Sequence, residues 1–284
     1  MRTIGSFETV KPLLDDAHNR VPDAPIERDK LIRDAMKLLS DTYEDSQDAQ
    51  AIDFRDHAIQ YAYLYKYMAA HANFVFKAMN ARQTRVQRHF AGNSLNIAVI
   101  GGGPGSEALG VAMLADDYDS RPKLKCVMCS PQACWQATWD KLKLTLSPKI
   151  NVDFRHVAFD VTADSSTAAT SICTGAELFF LVKVLSEVKN AKPAVEQCLV
   201  SLFAHAPAGS HFVFIDNLDD DVYRWFDGLV QQHSLTIEHS EDNPEFRIID
   251  GEQRGDLKEH IREIEGWHKP MMKAKLAIRL VAKA

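Results

Sequence analysis

The chain has 284 residues, 46% of them hydrophobic and 25% charged, with a formal net charge of −6 at neutral pH and a pI near 6.0. That is the composition of an ordinary soluble globular protein, long enough for one large core or a core with an appendage. No apolar run approaches the ~20 residues of a membrane span and "MRTIGSFETVKPLLDD" lacks a signal-peptide core, so the expectation is an intracellular protein, cytoplasmic or nuclear, without a membrane partner.

Residues 26–45, "IERDKLIRDAMKLLSDTYED", place Leu31, Ala35, Leu38 and Leu39 at helical spacing and predict an amphipathic helix. A longer helical pattern runs over residues 54–90. On it Tyr63, Tyr67 and His71 fall at i, i+4 and i+8 on one face, with Tyr61 and Tyr65 on a neighbouring one. These rings form a core stripe, or one or two of them cap a cofactor pocket. The end of the pattern, "KAMNARQTRVQRHF", carries Lys77, Arg82, Arg85, Arg88 and His89 with no acid. It belongs to a basic middle, residues 57–160, with 12 Lys/Arg against 7 Asp/Glu. The flanks are acidic, 8 against 13 before it and 13 against 19 after it. Such a cluster either holds a phosphate backbone through charge-assisted contacts or forms a solvated helix face.

From Leu95 strands and helices alternate: "LNIAVI" and "GSEALGVAMLADD"; "KLKCVMCS" and "PQACWQATWDKLKLTL"; "VDFRHVAFDV" and a weakly patterned Ser/Thr/Ala stretch; then "AELFFLVKVLSEV", "KPAVEQCLVSLFAHA", "GSHFVFIDN" and "DVYRWFDGLVQQH". This alternation demands right-handed crossovers and a doubly wound, mostly parallel α/β sheet. Two final β-like runs, "SLTIEHSEDNPEFRII" and "KAKLAIRLVAKA", have no convincing helix between them and suit an antiparallel C-terminal end to a seven-stranded sheet. The expected organisation is an N-terminal helical extension over residues 1–92, covering the site, and one catalytic-type domain over 93–284. Five cysteines, an odd number, imply reduced thiols. Cys126-x-x-Cys129 has no second Cys or His pair at ligand spacing, and no metal is expected.

The turn after the first strand, "IGGGPGSEALG", decides between ligand classes. A dinucleotide fingerprint G-x-G-x-x-G needs its third glycine for close packing over a pyrophosphate. Gly101 and Gly103 fill the first two places, but the third falls on Ser106, and a glycine comes one residue early at Gly105. G-x-G-x-G is the turn of class I S-adenosyl-L-methionine (SAM) methyltransferases, whose Rossmann-like domain binds a donor without a pyrophosphate. SAM is therefore the expected cofactor, and a flavin or nicotinamide oxidoreductase is the reading it displaces.

Ligands of a doubly wound sheet bind beyond the C-terminal ends of its strands. The expected cofactor residues are accordingly Gly101, Gly103, Gly105, Glu107, Ser130, Asp160 and Val161. Glu107 either bonds the donor's ammonium or merely favours the positive end of its helix. Ser130, or Cys129, stands where a carboxylate would take both ribose hydroxyls. Asp160 accepts the adenine amino group or caps a turn, and Val161 offers its backbone N–H to the ring. Lys183, Ser186 and Glu187 follow the fourth strand on the substrate side, and Asp216 and Asn217 end the fifth. Glu187 and His71 are the candidate bases, with Lys183 beside them as a third catalytic candidate. Tyr67, Arg82, Arg85 and Arg88 are candidates for holding the acceptor.

"GGGPGSEALG", the "YLYKYMAAH" before it, Trp135 after the second strand, "SEV" after the fourth and "FVFIDN" at the fifth resemble a eukaryotic methyltransferase-like family. It includes the fungal large-subunit ribosomal RNA uridine-N3 methyltransferase and uncharacterised animal members, and the resemblance covers about residues 55–284. It implies that Gly101, Gly103, Gly105 and Glu107 bind the donor, that Glu187 is an acid beside the substrate pocket, and that the acceptor is RNA. Where the family has an acid after the second strand, this chain has Ser130. With Val99 standing two residues before Gly101 in place of an acid, that departure supports a second reading, a methyltransferase fold that has lost catalysis and serves as an RNA- or protein-binding subunit. A small-molecule methyltransferase is the third.

Overall fold

The structure, a computed structural model, describes residues 3–22, 25–44, 52–163, 166–248 and 269–284. Asp45 of the first predicted helix and the polar segment 249–268 between the last two strands lie outside the described residues. Helix α1 (Ser6–Arg20) buries Phe7, Val10, Leu13, Leu14 and Ala17 despite Pro12 within it. Its approach is tied to the later domain, since the Ile4 N–H donates to Asp116 at 2.9 Å. Helix α2 (Pro25–Glu44) buries Ile32, Ala35, Met36 and Leu39. The Asp56 side chain caps α3 (His57–Tyr63), accepting from Ala58 N at 2.7 Å. That helix passes through a π turn, Leu64–Met68, into α4 (Ala69–Asn80). The single helix expected over residues 54–90 is thus interrupted. It ends at Asn80 and is followed by the short α5 (Gln83–Val86) and a 3-10 turn, Gln87–Phe90.

The alternating half follows the sequence closely: β1 (Ser94–Ile100), α6 (Ser106–Asp117), β2 (Lys123–Ser130), α7 (Gln136–Leu146), β3 (Val152–Ala158), α8 (Ser166–Cys173), β4 (Leu178–Val182), α9 (Lys192–His205), β5 (His211–Asn217), α10 (Asp220–Gln232), β6 (Thr236–Arg247) and β7 (Lys273–Ala282). They build one seven-stranded sheet in the order β3-β2-β1-β4-β5-β7-β6. β7 runs antiparallel to both β5 and β6, and the pairs formed among β1 to β5 are parallel. The fold is therefore α/β and doubly wound, a mostly parallel seven-stranded sheet with an antiparallel C-terminal end, as the order of the runs predicts.

Both faces of the sheet are covered. On β4, Leu178, Phe180 and Val182 join a core with the N-terminal helices and α6, while Phe179 and Leu181 join a second core with α8, α9 and α10. This is why "LFFLV" reads as an unbroken apolar run rather than an alternating one. Helix α4 packs against α6 at Gly110, where a Cβ would stand 2.6 Å from Ala72 O and 2.7 Å from Val75 Cβ. The aromatic helix is thereby held over the C-terminal end of β1. Among the described residues no helix is long and apolar enough to cross a membrane.

Candidate functional site

The ends of β1, β2, β4 and β5 meet two adjoining chambers roofed by α2 and the aromatic helix. At the floor of the first, of about 360 Å³, is the glycine turn. Gly101 and Gly105 adopt φ of +92° and +97°, which side chains disfavour, and a Cβ on Gly101 would meet Val184 Cγ2 at 2.7 Å. Gly103 differs. It lines the chamber, its φ is not left-handed, and a Cβ added to it meets nothing within 4 Å. No protein contact requires glycine there, so what the missing Cβ leaves is room for a ligand against the backbone. The Trp139 indole N–H donates to Gly103 O at 3.0 Å and fixes the turn from α7.

At the start of α6, Ser106 Oγ and Glu107 Oε2 are buried, their residues line the same chamber, and among the described residues neither atom has a hydrogen-bond partner. Burial pushes the Glu107 carboxyl up to about 7. An orphaned carboxylate oxygen and a glycine with open space beside it fit a ligand that brings an ammonium group to the turn, as the methionine part of SAM does.

Ser130 and Gln132 continue the wall at the end of β2, whereas Cys129 is buried in the second core. Ser130 Oγ donates to Gln132 O at 2.8 Å and lies 3.3 Å from His156 Nε2. Asp160 and Val161 line the chamber after β3. Asp160 Oδ1 accepts from Thr162 N at 2.8 Å and from Thr162 Oγ1 at 2.7 Å, so it closes a turn as well as facing the chamber. Phe54, Tyr63 and Trp135 pack as mutual ring neighbours, centroids 5.3 to 5.7 Å apart, and all three line the same space.

The second chamber, about 410 Å³, is lined by Ser40 and Tyr43 of α2, Tyr63, Lys66, Tyr67 and His71 of the aromatic helix, Lys183, Ser186 and Glu187 after β4, Asn217, and Lys269 and Met271 before β7. Tyr43, Tyr63, His71, Lys183 and Glu187 border both chambers. Lys183 adopts φ of +59°, rare for a residue with a side chain, and its ammonium is held by Asn217 Oδ1. Burial lowers it to about 8 against the opposing pull of Asp216 and Glu187. Burial and the nearby Asp216 push Glu187 up to about 7, and the Tyr43 hydroxyl donates to it. His71 is pushed down to about 3 by burial and by Lys183. Asp216 is fully buried, accepting from Ser186 N at 3.1 Å and Asn217 N at 2.7 Å.

The structure thus brings Gly101, Gly103, Glu107, Ser130, Asp160, Val161, His71, Lys183, Glu187 and Tyr67 to these chambers, with Gly105 shaping the turn beneath. It does not bring the basic run there. Arg82 is buried, donating to Ala78 O at 2.8 Å and ion-paired with Glu241. Arg85 pairs with Glu238 at 3.4 Å, and Arg88 donates to Gly209 O at 2.9 Å. His89 contacts His211, the first residue of β5, whereas Asn217, its last, is at the chambers. Arg85, Arg88 and His89 therefore sit toward the N-terminal ends of the strands, away from the chambers. Tyr43, Lys66, Trp139 and Lys269 are site residues that periodicity did not single out; Tyr43 and Lys66 sit on predicted helices, but nothing local says which face meets β4.

Neither a protein-family model nor a curated protein matches this chain. Among solved structures, the CurJ carbon methyltransferase is 12% identical (TM-score 0.49, covering 90% of this chain and 66% of that chain). The DszA carbon methyltransferase is 14% identical (TM-score 0.48, 95% and 68%), and a presumptive RNA methyltransferase from Pyrococcus horikoshii is 13% identical (TM-score 0.45, 78% and 87%). At such identities and TM-scores, the assignment of function rests on the chemistry of the two chambers.

Proposed function

We propose that the protein is a SAM-dependent methyltransferase, with the donor in the first chamber and the acceptor in the second. The observation that carries this reading is the Glu107 Oε2, without a hydrogen-bond partner among the described residues, in the same chamber as the open side of Gly103. When bound, SAM supplies an electrophilic methyl group on a cationic sulfur. The chain's own contribution is orientation and exclusion of water, for which the walls of Tyr43, Tyr63, His71 and Trp135 are suited. Glu187, at about 7, is matched to taking a proton from the acceptor at neutral pH, whereas His71, at about 3, is a weak base.

A uridine N3 acceptor in RNA, implied by the sequence resemblance, keeps one supporting observation: the Glu187 carboxyl suits removal of an imide proton. The backbone track expected of Arg82, Arg85 and Arg88 gives it no support, because those residues are engaged away from the chambers. The reading as a binding subunit without catalysis rests on Ser130. Calorimetry with SAM, S-adenosylhomocysteine, NAD(H) and FAD separates these. Heat with the first two alone supports the proposal, and none with either refutes it. Transfer of labelled methyl from SAM to total RNA, compared with a metabolite extract, then identifies the acceptor class.

A further inference from the structure

The first chamber leaves one need of its proposed ligand unmet at the usual place. A ribose presents two neighbouring hydroxyls, which a carboxylate receives with its two oxygens. At the end of β2, where that carboxylate would stand, is Ser130, a single hydroxyl that already donates to Gln132 O at 2.8 Å and lies 3.3 Å from His156 Nε2. Among the described residues the carboxylates lining the chamber are Asp53, Glu107, Asp160 and Glu187. Glu107 lies at the glycine turn, Asp160 is bonded twice to Thr162, and Glu187 reaches the second chamber. Asp53 comes from the other half of the chain, just before α3, and its segment is fastened beside the end of β2. The Gln60 side chain donates from Nε2 to Phe54 O at 2.8 Å and to Cys134 O at 2.6 Å, and the Phe54 ring lies 5.5 Å from that of Trp135. Burial raises the Cys134 thiol, and the charge of Asp53 raises it further. Arg55 grips Asp53 with Nε at 2.8 Å from Oδ1 and Nη2 at 2.7 Å from Oδ2, and these bonds hold the carboxyl down at about 2. It is therefore an acceptor throughout the physiological range. Both partners are exposed, and an ion pair of that kind is weak enough to leave the oxygens open to further donors.

Resting on the methyltransferase reading, we propose that Asp53 is a donor-binding residue, whose carboxylate accepts from the ribose hydroxyls of SAM in place of the acid that β2 lacks. Gln60 and the Phe54–Trp135 contact hold the segment against the loop after β2, and Arg55 orients the carboxylate from its solvent side. The hydroxyls remain donors and the carboxylate remains ionised, so this contact moves no proton, unlike the one at Glu107. The segment before α3 is then part of the donor site and not a cover laid over it. Ser130 no longer argues for a fold without catalysis, because the ribose contact is made from the N-terminal side of the chamber.

The test is calorimetry on the full chain with two ligands, S-adenosylhomocysteine and its 2′,3′-dideoxy analogue, which lacks both ribose hydroxyls. The wild-type protein is expected to bind the first about tenfold or more tightly than the second. Asp53→Asn should weaken S-adenosylhomocysteine by about tenfold and leave the dideoxy analogue within about twofold of its wild-type affinity, so that the preference between the ligands collapses. Because Asp53 is exposed, the melting temperature of the ligand-free variant should be unchanged, which separates loss of a contact from loss of the fold. Two results overturn the proposal while leaving the donor site standing: an Asn variant that binds S-adenosylhomocysteine as the wild type does, or one that loses affinity equally for both ligands, as a merely structural role would. A wild-type protein that does not distinguish the two ligands overturns it as well. Failure of the wild-type protein to bind S-adenosylhomocysteine at all instead overturns the methyltransferase reading beneath it.

Discussion

If Glu107 meets the ammonium of the donor, binding must be coupled to a proton. In the free protein burial holds this carboxyl at about 7, so at pH 6 most of it is protonated and at pH 7.5 most is ionised. A bound ammonium favours the ionised form and returns the pKa toward the ordinary carboxylate range, so binding below pH 7 expels a proton and affinity rises with pH until it levels off. With a free-state value of 7, the gain in affinity between pH 6 and pH 7.5 is about eightfold, or about 1.2 kcal/mol. S-adenosylhomocysteine is the proper ligand for this measurement, because it lacks the sulfonium that would also pull on Glu187. Titration calorimetry in buffers of different ionisation enthalpy reads the proton directly: close to one released at pH 6, fewer at pH 7.5. Glu107→Gln should bind more weakly at pH 7.5 and lose the pH dependence. An affinity that is flat over this range in the wild type, or a Gln variant that binds as tightly, refutes the ammonium assignment and leaves Glu107 as a residue that merely favours the end of its helix.

Gly103→Val should abolish S-adenosylhomocysteine binding by calorimetry and leave the melting temperature nearly unchanged, whereas Gly101→Val should lower the melting temperature itself, since its Cβ collides with Val184 at a backbone angle valine avoids. Ser130→Asp should tighten S-adenosylhomocysteine binding by ~1 kcal/mol, one added charge-assisted hydrogen bond to ribose; unchanged or weaker binding means that Ser130 does not face the ribose. Stability against pH, followed by urea unfolding of the ligand-free protein, should be shaped between pH 7.5 and 5 by two opposing sets of groups. Depressed His71 and His89 contribute stability that is lost as pH falls below the unfolded histidine value, and raised Glu107 and Glu187 contribute stability that is regained over the same interval. The double variant Glu107→Gln/Glu187→Gln removes two raised carboxyls and should lose stability on acidification more steeply than the wild type, a difference whose absence would show that these carboxyls are not held toward their neutral form.

The strands and their order of use were legible because a doubly wound sheet writes itself as apolar runs separated by turn residues, and the glycine spacing follows from what backbone must approach. Helix α1 was not, because Pro12 breaks the local helical signal, and only burial of Phe7, Leu13 and Leu14 against the later helices overrides it. The π turn at Leu64–Met68 leaves no mark in residue spacing, yet it alters how Tyr63, Tyr67 and His71 line up; their ring centroids lie 5.2 to 6.2 Å apart. The basic run misled for a related reason. Counted along the chain, Arg82, Arg85 and Arg88 face no acid, but Glu241 and Glu238 reach Arg82 and Arg85 from β6, and Arg88 bonds Gly209 O before β5, partners set by tertiary pairing that no local window contains.

Glu107, Glu187, Lys183 and His71 share one property: in the ligand-free protein each is displaced toward its neutral form, and burial is the largest cause in every case. Of these, Glu107 and His71 are buried and Lys183 is half-buried, and such groups without full compensation lower stability and would be replaced by apolar side chains of similar size if packing were their only role. The compensation has to come from what binds. An ammonium answers Glu107 and a cationic sulfur beside Glu187 favours its ionised form, whereas Lys183 already faces Asp216, Glu187 and the Asn217 amide oxygen. On this account SAM should bind more tightly than S-adenosylhomocysteine where Glu187 is ionised, because only the former carries the positive charge that this carboxylate offsets, and Glu187→Gln should narrow the difference measured by calorimetry.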